Sequence, residues 1–211
     1  MSKIEEIASA VERGKAKLVP GLVEEALDEG ADPVEILNKG MIDAMSVVGE
    51  KFKNNEIFVP EMLVAARAMK KGVEVLKPSL GGSSDISIGK AVIGTVQGDL
   101  HDIGKNLVCL MIESAGFEVQ DLGVDVPAEK FVESAADPDV KIVGVSALLT
   151  TTMPAMKATV EALNQAPNRE NFKVMVGGAP ITQEFADEIG ADAYTPDAAT
   201  AASVAKAFVV G

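Results

Sequence analysis

The 211-residue sequence contains one cysteine, one histidine, one tyrosine and no tryptophan. The single Cys109 excludes an internal disulfide and favours a reducing compartment. No apolar run approaches the roughly 20 residues that a membrane-spanning helix needs. The N-terminal segment MSKIEEIASAVERG carries acidic residues where a signal peptide would be basic and then apolar. These absences predict a cytoplasmic protein that does not span a membrane.

Basic residues are also scarce, since 19 Lys and Arg stand against 32 Asp and Glu and give a net charge of -13. A charge of this sign repels nucleic-acid phosphates and anionic lipid surfaces, so neither nucleic acid nor a membrane is an expected partner. Hydrophobic residues nevertheless make up 47% of the chain, which is enough for a folded core. We expect a globular protein of one large domain or two small ones.

The N-terminal part, residues 1–80, has the pattern of helices alone. Apolar residues recur at helical spacing in four successive segments. The segment EGADPVEIL ends the second helix at Gly30 and begins the third with Asp32 as N-cap and Pro33 in the first turn. Four amphipathic helices with short connections predict an antiparallel four-helix bundle.

The pattern changes after this bundle. The stretch SLGGSSD is small, polar and glycine-rich, and it places a linker at residues 81–88. Across residues 89–211, apolar β-type runs such as KAVIGTV and KIVGVSA alternate with helix-length segments. This alternation predicts an α/β domain with a Rossmann-like (flavodoxin-like) parallel sheet and helices on both faces.

The expected carboxyl ends of the strands, where such sheets bind ligands, collect glycines, hydroxyls and the lone histidine. The loop GDLHDIGKNL after the first strand has neither a G-x-G-x-x-G fingerprint nor a G-K-[ST] motif. One His and one Cys cannot supply an ordinary zinc site. An isolated histidine can still bind a metal whose other ligands come from a cofactor ring, with Asp99 holding the second imidazole nitrogen. From residue types alone, a histidine in a loop near two aspartates is more often a surface or capping residue than a metal ligand, so that role for His101 stays open.

Three short motifs follow one another at these strand ends: D-x-H-x-x-G (Asp99, His101, Gly104), S-x-L (Ser146, Leu148) and G-G (Gly177, Gly178). Together they resemble the signature of the cobalamin-binding fold shared by methionine synthase and the small corrinoid proteins of methylotrophic methyltransferase systems. The segment GMIDAMSVVGEKFKNNEIFVPEMLVAARAMKKG is similar to the helical cap that precedes this domain in the same family. The resemblance therefore covers nearly the whole chain.

The resemblance implies that the cofactor is cobalamin or a related corrinoid. His101 would be the lower axial ligand to cobalt, and Asp99 and Thr152 would extend a relay from its other ring nitrogen. The rest of the corrinoid, including its nucleotide tail, would lie against residues at the strand ends: Gly98, Asp102, Gly104, Ser146, Leu148, Thr150, Gly177, Gly178, Tyr194 and Asp197. Three apolar residues of the helical part would cover the upper, methyl-bearing face: Phe52, Val59 and Met62.

The implied function is that of a methyl carrier. Its cobalt(I) would accept a methyl group from a substrate-specific methyltransferase, and methylcobalt(III) would pass it to an acceptor methyltransferase that uses a folate or a thiol coenzyme. A reductive activation protein would be a third partner, and the chain alone would complete no turnover. Carriers of this kind serve methylated amines, quaternary amines, methanol or aromatic methyl ethers.

Two other functions stay open at this point. A cobalamin-dependent sensor or regulator has the same two-part fold, although the absence of tryptophan and of a basic face disfavours it. The small subunit of an adenosylcobalamin mutase shares D-x-H-x-x-G but generally lacks the helical cap.

Overall fold

The computed structural model describes residues 2–80 and 87–210. The chain divides into two units, one formed by Met1–Ile86 with Ser114–Gly116 and the other by Ser87–Glu113 with Phe117–Gly211. Most of the predicted linker, residues 81–86, lies outside the described residues. None of the helices in the described part of the chain combines the length and the hydropathy that crossing a membrane requires.

The N-terminal unit is helical, as predicted. Its elements are α1 (Lys3–Glu12), α2 (Val19–Asp28), α3 (Pro33–Leu37), α4 (Asp43–Lys53) and α5 (Val59–Leu76), with a 3-10 turn at Lys77–Leu80. A π-helical segment, Asn38–Ile42, joins α3 to α4, so the predicted third helix runs without a break but with one wide turn. Within residues 2–80 the predicted four-helix arrangement is therefore confirmed.

Local sequence signals explain where these helices begin. Ser2 and Glu5 form a capping box, in which the Ser2 Oγ accepts the Glu5 N–H and the Glu5 carboxylate accepts the Ser2 N–H. The carboxylate of Asp32 accepts the N–H groups of Val34 at 2.7 Å and of Glu35 at 3.2 Å. The predicted N-cap of the third helix is thereby confirmed.

The C-terminal unit alternates strands and helices. The strands are β1 (Lys90–Thr95), β2 (Glu118–Asp121), β3 (Val140–Ser146), β4 (Lys173–Gly177) and β5 (Ala193–Tyr194). The helices are α6 (Ile103–Ser114), α7 (Ala128–Ala135), α8 (Met153–Asn164), α9 (Gln183–Ile189) and α10 (Ala198–Val210). All strand pairs are parallel, in the order β2-β1-β3-β4-β5, which confirms the predicted flavodoxin-like sheet.

One face of this sheet carries the main hydrophobic core. Alternate residues of β1, β3 and β4 pack with apolar side chains of α7, α8 and α9 in one buried cluster: Val92, Val143, Val145, Val174, Val176, Phe131, Val160, Leu163 and Ile189. The intervening strand residues, such as Ile93 and Met175, belong to the opposite face and are buried as well. Burial on both faces fixes the register of the strands and hence the positions of their carboxyl ends.

The direction in which the chain moves across the sheet reverses at β1. From β1 the chain first goes to β2 at one edge, and it then returns to β3 on the other side of β1. In open α/β sheets the crevice at such a switch point is the usual place for a ligand. Thr95 and Ser146 are paired at the ends of β1 and β3, so the loops that begin there flank this crevice.

Candidate functional site

The loop between β1 and α6 is folded back onto the end of β1. Gly98 has φ +82, a left-handed conformation that glycine adopts without steric cost. The Asp99 N–H donates to the carbonyl of Val96 at 3.1 Å, and the Thr95 hydroxyl donates to the carbonyl of His101 at 2.9 Å. The backbone on both sides of Asp99 is therefore fixed to the strand.

Asp99 has no exposed surface, yet both of its carboxylate oxygens accept hydrogen bonds. Oδ2 accepts the Leu148 N–H and the Thr152 hydroxyl, both at 2.8 Å. Oδ1 accepts the His101 N–H at 3.0 Å. Burial by itself would raise the pKa of Asp99, but the hydrogen bonds from Leu148, His101 and Thr152 outweigh it and hold that pKa well below its usual range. Asp99 is thus a buried but firmly ionised carboxylate.

The imidazole of His101 is oriented by this carboxylate. Its Nδ1 lies 3.0 Å from Asp99 Oδ1, while 53% of its side chain is exposed. Because an ionised carboxylate only accepts hydrogen bonds, the network assigns the imidazole proton to Nδ1. The lone pair of Nε2 is then free, which is how a histidine is prepared to bind a metal ion.

The protein offers this nitrogen without a conventional metal site around it. Among the residues that the structure describes, no group of three or more His, Cys, Asp or Glu side chains could hold a metal ion. A metal bound at Nε2 would therefore take its other ligands from a cofactor. This donor set fits a corrinoid, whose ring supplies the equatorial nitrogens, as the resemblance implies.

Thr152 joins the loop after β3 to the same carboxylate. It ends the 3-10 turn Thr150–Thr152 and is 6% exposed. Its hydroxyl lies 2.8 Å from Asp99 Oδ2 and 2.9 Å from the Leu149 carbonyl. A hydroxyl has one hydrogen and donates to one acceptor at a time. The charged Asp99 carboxylate is a stronger acceptor than the Leu149 carbonyl, so the hydroxyl donates preferentially to Asp99. The predicted contact between Thr152 and Asp99 is present, whereas its part in a relay stays a prediction.

The backbone at the end of β4 leaves little room for side chains at Gly177 and Gly178. Gly178 has φ +132, and a Cβ there would lie 1.8 Å from the carbonyl oxygen of Ala147. A Cβ on Gly177 would lie 3.0 Å from the carbonyl oxygen of Thr195. By contrast, a Cβ on Gly104 would meet no atom within 4 Å. The G-G pair is required by close backbone packing, while the surface at Gly104 is open to a ligand.

Three other predicted contact residues lie at the same edge of the sheet, and the two aspartates among them already have local hydrogen-bond partners. The Asp197 carboxylate accepts the N–H and the hydroxyl of Thr200 at 2.8 and 2.7 Å, and so caps the first turn of α10. The Asp102 carboxylate accepts the Asn106 amide at 3.1 Å beside the start of α6. Tyr194 is half-buried at the end of β5. A contact of these three residues with a ligand stays a prediction.

The three residues predicted to cover a cofactor from above belong to the helical unit. Phe52 is half-buried in α4, and Val59 is 38% exposed at the start of α5. Met62 is completely buried. The structure describes these side chains within their own unit, so their approach to His101 stays a prediction.

Two residues near the His101 loop escaped the sequence analysis. Asp125, in the loop after β2, accepts the Gly98 N–H at 2.7 Å. Lys105 is only 3% exposed, and its Nζ lies 2.5 Å from Asp121 Oδ2. The turn-forming pair of Gly123 and Asp125 in LGVDV was a usable signal for a tight loop, but nothing in the spacing identified its partner.

Comparison with known proteins identifies the family to which both parts of the chain belong. Residues 3–77 and residues 89–205 each match a B12 binding domain family. The chain is 47% identical over 204 residues to the dimethylamine corrinoid protein 1 of Methanosarcina acetivorans, covering 96% of this chain and 95% of that protein.

Two solved structures are similar over almost the whole chain. One is the methanol:cobalamin methyltransferase complex of Methanosarcina barkeri, with a TM-score of 0.86, 30% identity and coverage of 99% of this chain and 80% of that chain. The other is a cobalamin-binding protein of Desulfitobacterium hafniense DCB-2, with a TM-score of 0.81, 32% identity and coverage of 98% of both chains. The chain therefore belongs to the family of B12-binding corrinoid proteins, and its cofactor is cobalamin or a related corrinoid.

Proposed function

We propose that the protein is a methyl carrier that accepts a methyl group from a substrate-specific methyltransferase and delivers it to an acceptor methyltransferase. The observation that carries this proposal is the pairing of exposed His101 with buried, ionised Asp99 at the switch point of the sheet. His101 is the only histidine in the chain. A single oriented imidazole beside an open glycine surface matches a cofactor that brings its own ring of metal ligands.

When bound, the corrinoid supplies a cobalt centre that can take up and release a methyl group. The protein's part would be to present Nε2 of His101 as the lower ligand. Asp99 keeps the proton on Nδ1 and makes the imidazole a better donor, as carboxylates behind metal-bound histidines do. The Leu148 N–H and the Thr152 hydroxyl hold that carboxylate from the other side.

Small residues would accommodate the rest of the cofactor. Ser146 and Gly177 are paired at the ends of β3 and β4, and neither carries a long side chain. Gly98 and Gly104 allow a bulky group to approach the backbone of the His101 loop. We propose that the nucleotide tail lies along these residues, with Leu148 and Thr150 at its border.

The methyl donor in this proposal is a methylated amine. A relative that is 47% identical over nearly its whole length is named a dimethylamine corrinoid protein. The similar complex from Methanosarcina barkeri is named for methanol and cobalamin, so methanol is the natural competing donor. A reductive activation protein as a third partner, and a cytoplasmic location, complete the proposal.

The helical unit would act as a cap. Residues 1–80 would shield the methyl-bearing face of the corrinoid with Phe52, Val59 and Met62, and residues 81–88 would form the linker. Phe52 is the best probe, because Met62 is buried and its replacement would disturb the helical core. Phe52→Ala should shorten the lifetime of the methylated and reduced cofactor, and a lifetime equal to the parent's would contradict a shielding role.

The direct test is reconstitution. Protein loaded with hydroxocobalamin and then reduced would be mixed with candidate methyltransferases and monomethylamine, dimethylamine, trimethylamine or methanol. We expect one enzyme–donor pair to convert the visible spectrum to that of the methylated cofactor, and an acceptor methyltransferase to reverse it. Corrinoid binding without methylation by any pair would contradict the carrier function, and His101→Ala provides the control for ligation.

A further inference from the structure

Asp125 adopts a backbone conformation that is uncommon for a residue with a side chain. Its φ is +54, and Gly123, two residues earlier, has φ +85. Outside glycine, left-handed conformations are rare, and Asp and Asn are the residues that tolerate them best. The loop after β2 therefore makes a tight left-handed turn at a residue that is neither glycine nor asparagine.

This conformation gives Asp125 two hydrogen bonds to one dipeptide. Its Oδ1 accepts the Gly98 N–H at 2.7 Å, and its own N–H donates to the carbonyl of Asp99 at 3.0 Å. The first bond has a charged acceptor, which makes it stronger than a bond between neutral groups. Asp125 thus holds both ends of the Gly98–Asp99 dipeptide.

The loop that carries Asp125 is itself fixed to the end of β1. The Thr95 N–H donates to the Gly123 carbonyl, and the Val126 N–H donates to the Thr95 carbonyl, both at 3.0 Å. These bonds continue the pairing of β1 with β2 beyond the sheet. Asp125 is therefore set on rigid backbone, directly beside the loop that bears His101.

Asp99 must be placed accurately because its two carboxylate oxygens accept hydrogen bonds from two different loops. Oδ1 must meet Nδ1 and the N–H of His101 on its own loop, while Oδ2 must meet Leu148 and Thr152 on the loop after β3. Hydrogen bonds weaken quickly with distance and angle, so a small shift of the Asp99 backbone would break one set.

We propose that Asp125 is a positioning residue for the cobalt ligand: it clamps Gly98–Asp99 so that Asp99 can orient His101. The inference rests on the proposed ligation of the corrinoid by His101. In this role Asp125 acts on His101 through the backbone of the dipeptide.

Three substitutions separate the possible roles of this residue. Asp125→Asn keeps an acceptor oxygen and tolerates the left-handed backbone. Asp125→Gly keeps the backbone conformation and the N–H donor but removes the acceptor. Asp125→Ala removes the acceptor and also strains the backbone. Glu129→Gln, at an exposed position in the first turn of α7, controls for the loss of one negative charge.

The first measurement uses protein without corrinoid. Amide hydrogen exchange of Gly98, followed by NMR, should accelerate at least about tenfold in Asp125→Gly, because its acceptor is gone. Asp125→Asn and Glu129→Gln should stay close to the parent. Unchanged Gly98 exchange in Asp125→Gly would overturn the clamp itself.

The second measurement uses the cobalt(II) holoprotein. Electron paramagnetic resonance should show that a smaller fraction of cobalt is coupled to a histidine nitrogen in Asp125→Gly, with recovery in Asp125→Asn. Corrinoid affinity should fall by about 10–100-fold, the usual effect of losing a group that supports a metal ligand. Faster Gly98 exchange with parental nitrogen coupling would overturn the positioning role. A parent protein without nitrogen coupling would instead contradict His101 ligation, so the two failures are distinguishable.

Discussion

Nδ1 of His101 lies 3.0 Å from Oδ1 of Asp99, and that carboxylate has no exposed surface. The pair joins an exposed side chain to a buried charge, so the orientation of the imidazole is set by the protein interior. Histidines that bind metals are commonly held in this way, through the ring nitrogen that does not face the metal. The protein's own hydrogen bonds are sufficient to set this arrangement.

His101→Ala should remove the only histidine nitrogen available to cobalt. We expect the holoprotein spectrum to shift to the base-off form and the cobalt(II) resonance to lose its nitrogen coupling. Because the variant also loses the hydrogen bond from Nδ1 to the buried Asp99 carboxylate, the free energy of unfolding of the corrinoid-free protein should fall by up to about 1.5–3 kcal/mol. Nitrogen coupling that survives in the variant would refute the ligand assignment.

Thr152→Val should remove a hydrogen bond to the Asp99 oxygen that does not contact His101. Valine has nearly the same shape as threonine but cannot donate to Asp99 Oδ2, and a hydrogen bond to a charged group contributes about 1.5–3 kcal/mol. Urea unfolding should show that the free energy of unfolding falls by this amount. A redox titration of the holoprotein should show an altered cobalt(II)/(I) potential. Thr152→Ser keeps the hydroxyl and is the control, so equal effects of the two variants would argue against the hydrogen bond.

Asp99→Asn should change how the stability of the corrinoid-free protein depends on pH. Folding lowers the pKa of Asp99, so the ionised carboxylate stabilises the protein fully above its unfolded pKa of about 4. That stabilisation is lost as the pH falls below this value. The parent should therefore be more stable than Asp99→Asn at pH 7, and urea unfolding should show the difference narrowing below about pH 4. A difference that is constant down to pH 3 would contradict a lowered pKa.

The sequence predicted the strands and helices that carry this site better than it predicted the hydrogen bonds between distant loops. The order of strands and helices follows from hydrophobic periodicity, and the cap at Asp32 follows from a local signal. Asp99 and His101 are two residues apart, so their contact could be expected from the chain itself. The bond from Gly98 to Asp125 spans 27 residues, and periodicity indicates which face of an element is buried but not which loops meet.

Two further features had no sequence signal. Lys105 lies in the first turn of α6, where a lysine would ordinarily be exposed, but its side chain is buried against Asp121 at the end of β2. The π-helical turn at Asn38–Ile42 lies inside a helix whose apolar spacing reads as continuous. A Cβ on Gly40 there would lie 3.2 Å from Ile7, so close packing against α1 coincides with the wide turn. Both features depend on partners far away in the sequence.

Substitutions at the glycines of the site should show which of them are needed for stability and which for ligand binding. Gly178→Ala would bring a Cβ to 1.8 Å from the Ala147 carbonyl oxygen at φ +132, and neither the backbone atom nor the conformation can adapt cheaply. Gly177→Ala meets the Thr195 carbonyl oxygen at 3.0 Å and should cost less. Urea unfolding should therefore rank the parent above Gly177→Ala and Gly177→Ala above Gly178→Ala.

Gly104→Ala is the opposite case, because its Cβ would meet no protein atom within 4 Å. Gly104 lies in the first turn of α6, where alanine is the better helix former, so the variant should be as stable as the parent or up to about 1 kcal/mol more stable. If the corrinoid approaches the backbone there, the added methyl group should still weaken binding in a titration with hydroxocobalamin. Gain of stability with loss of affinity would place Gly104 against the cofactor, whereas parental affinity would remove it from the site.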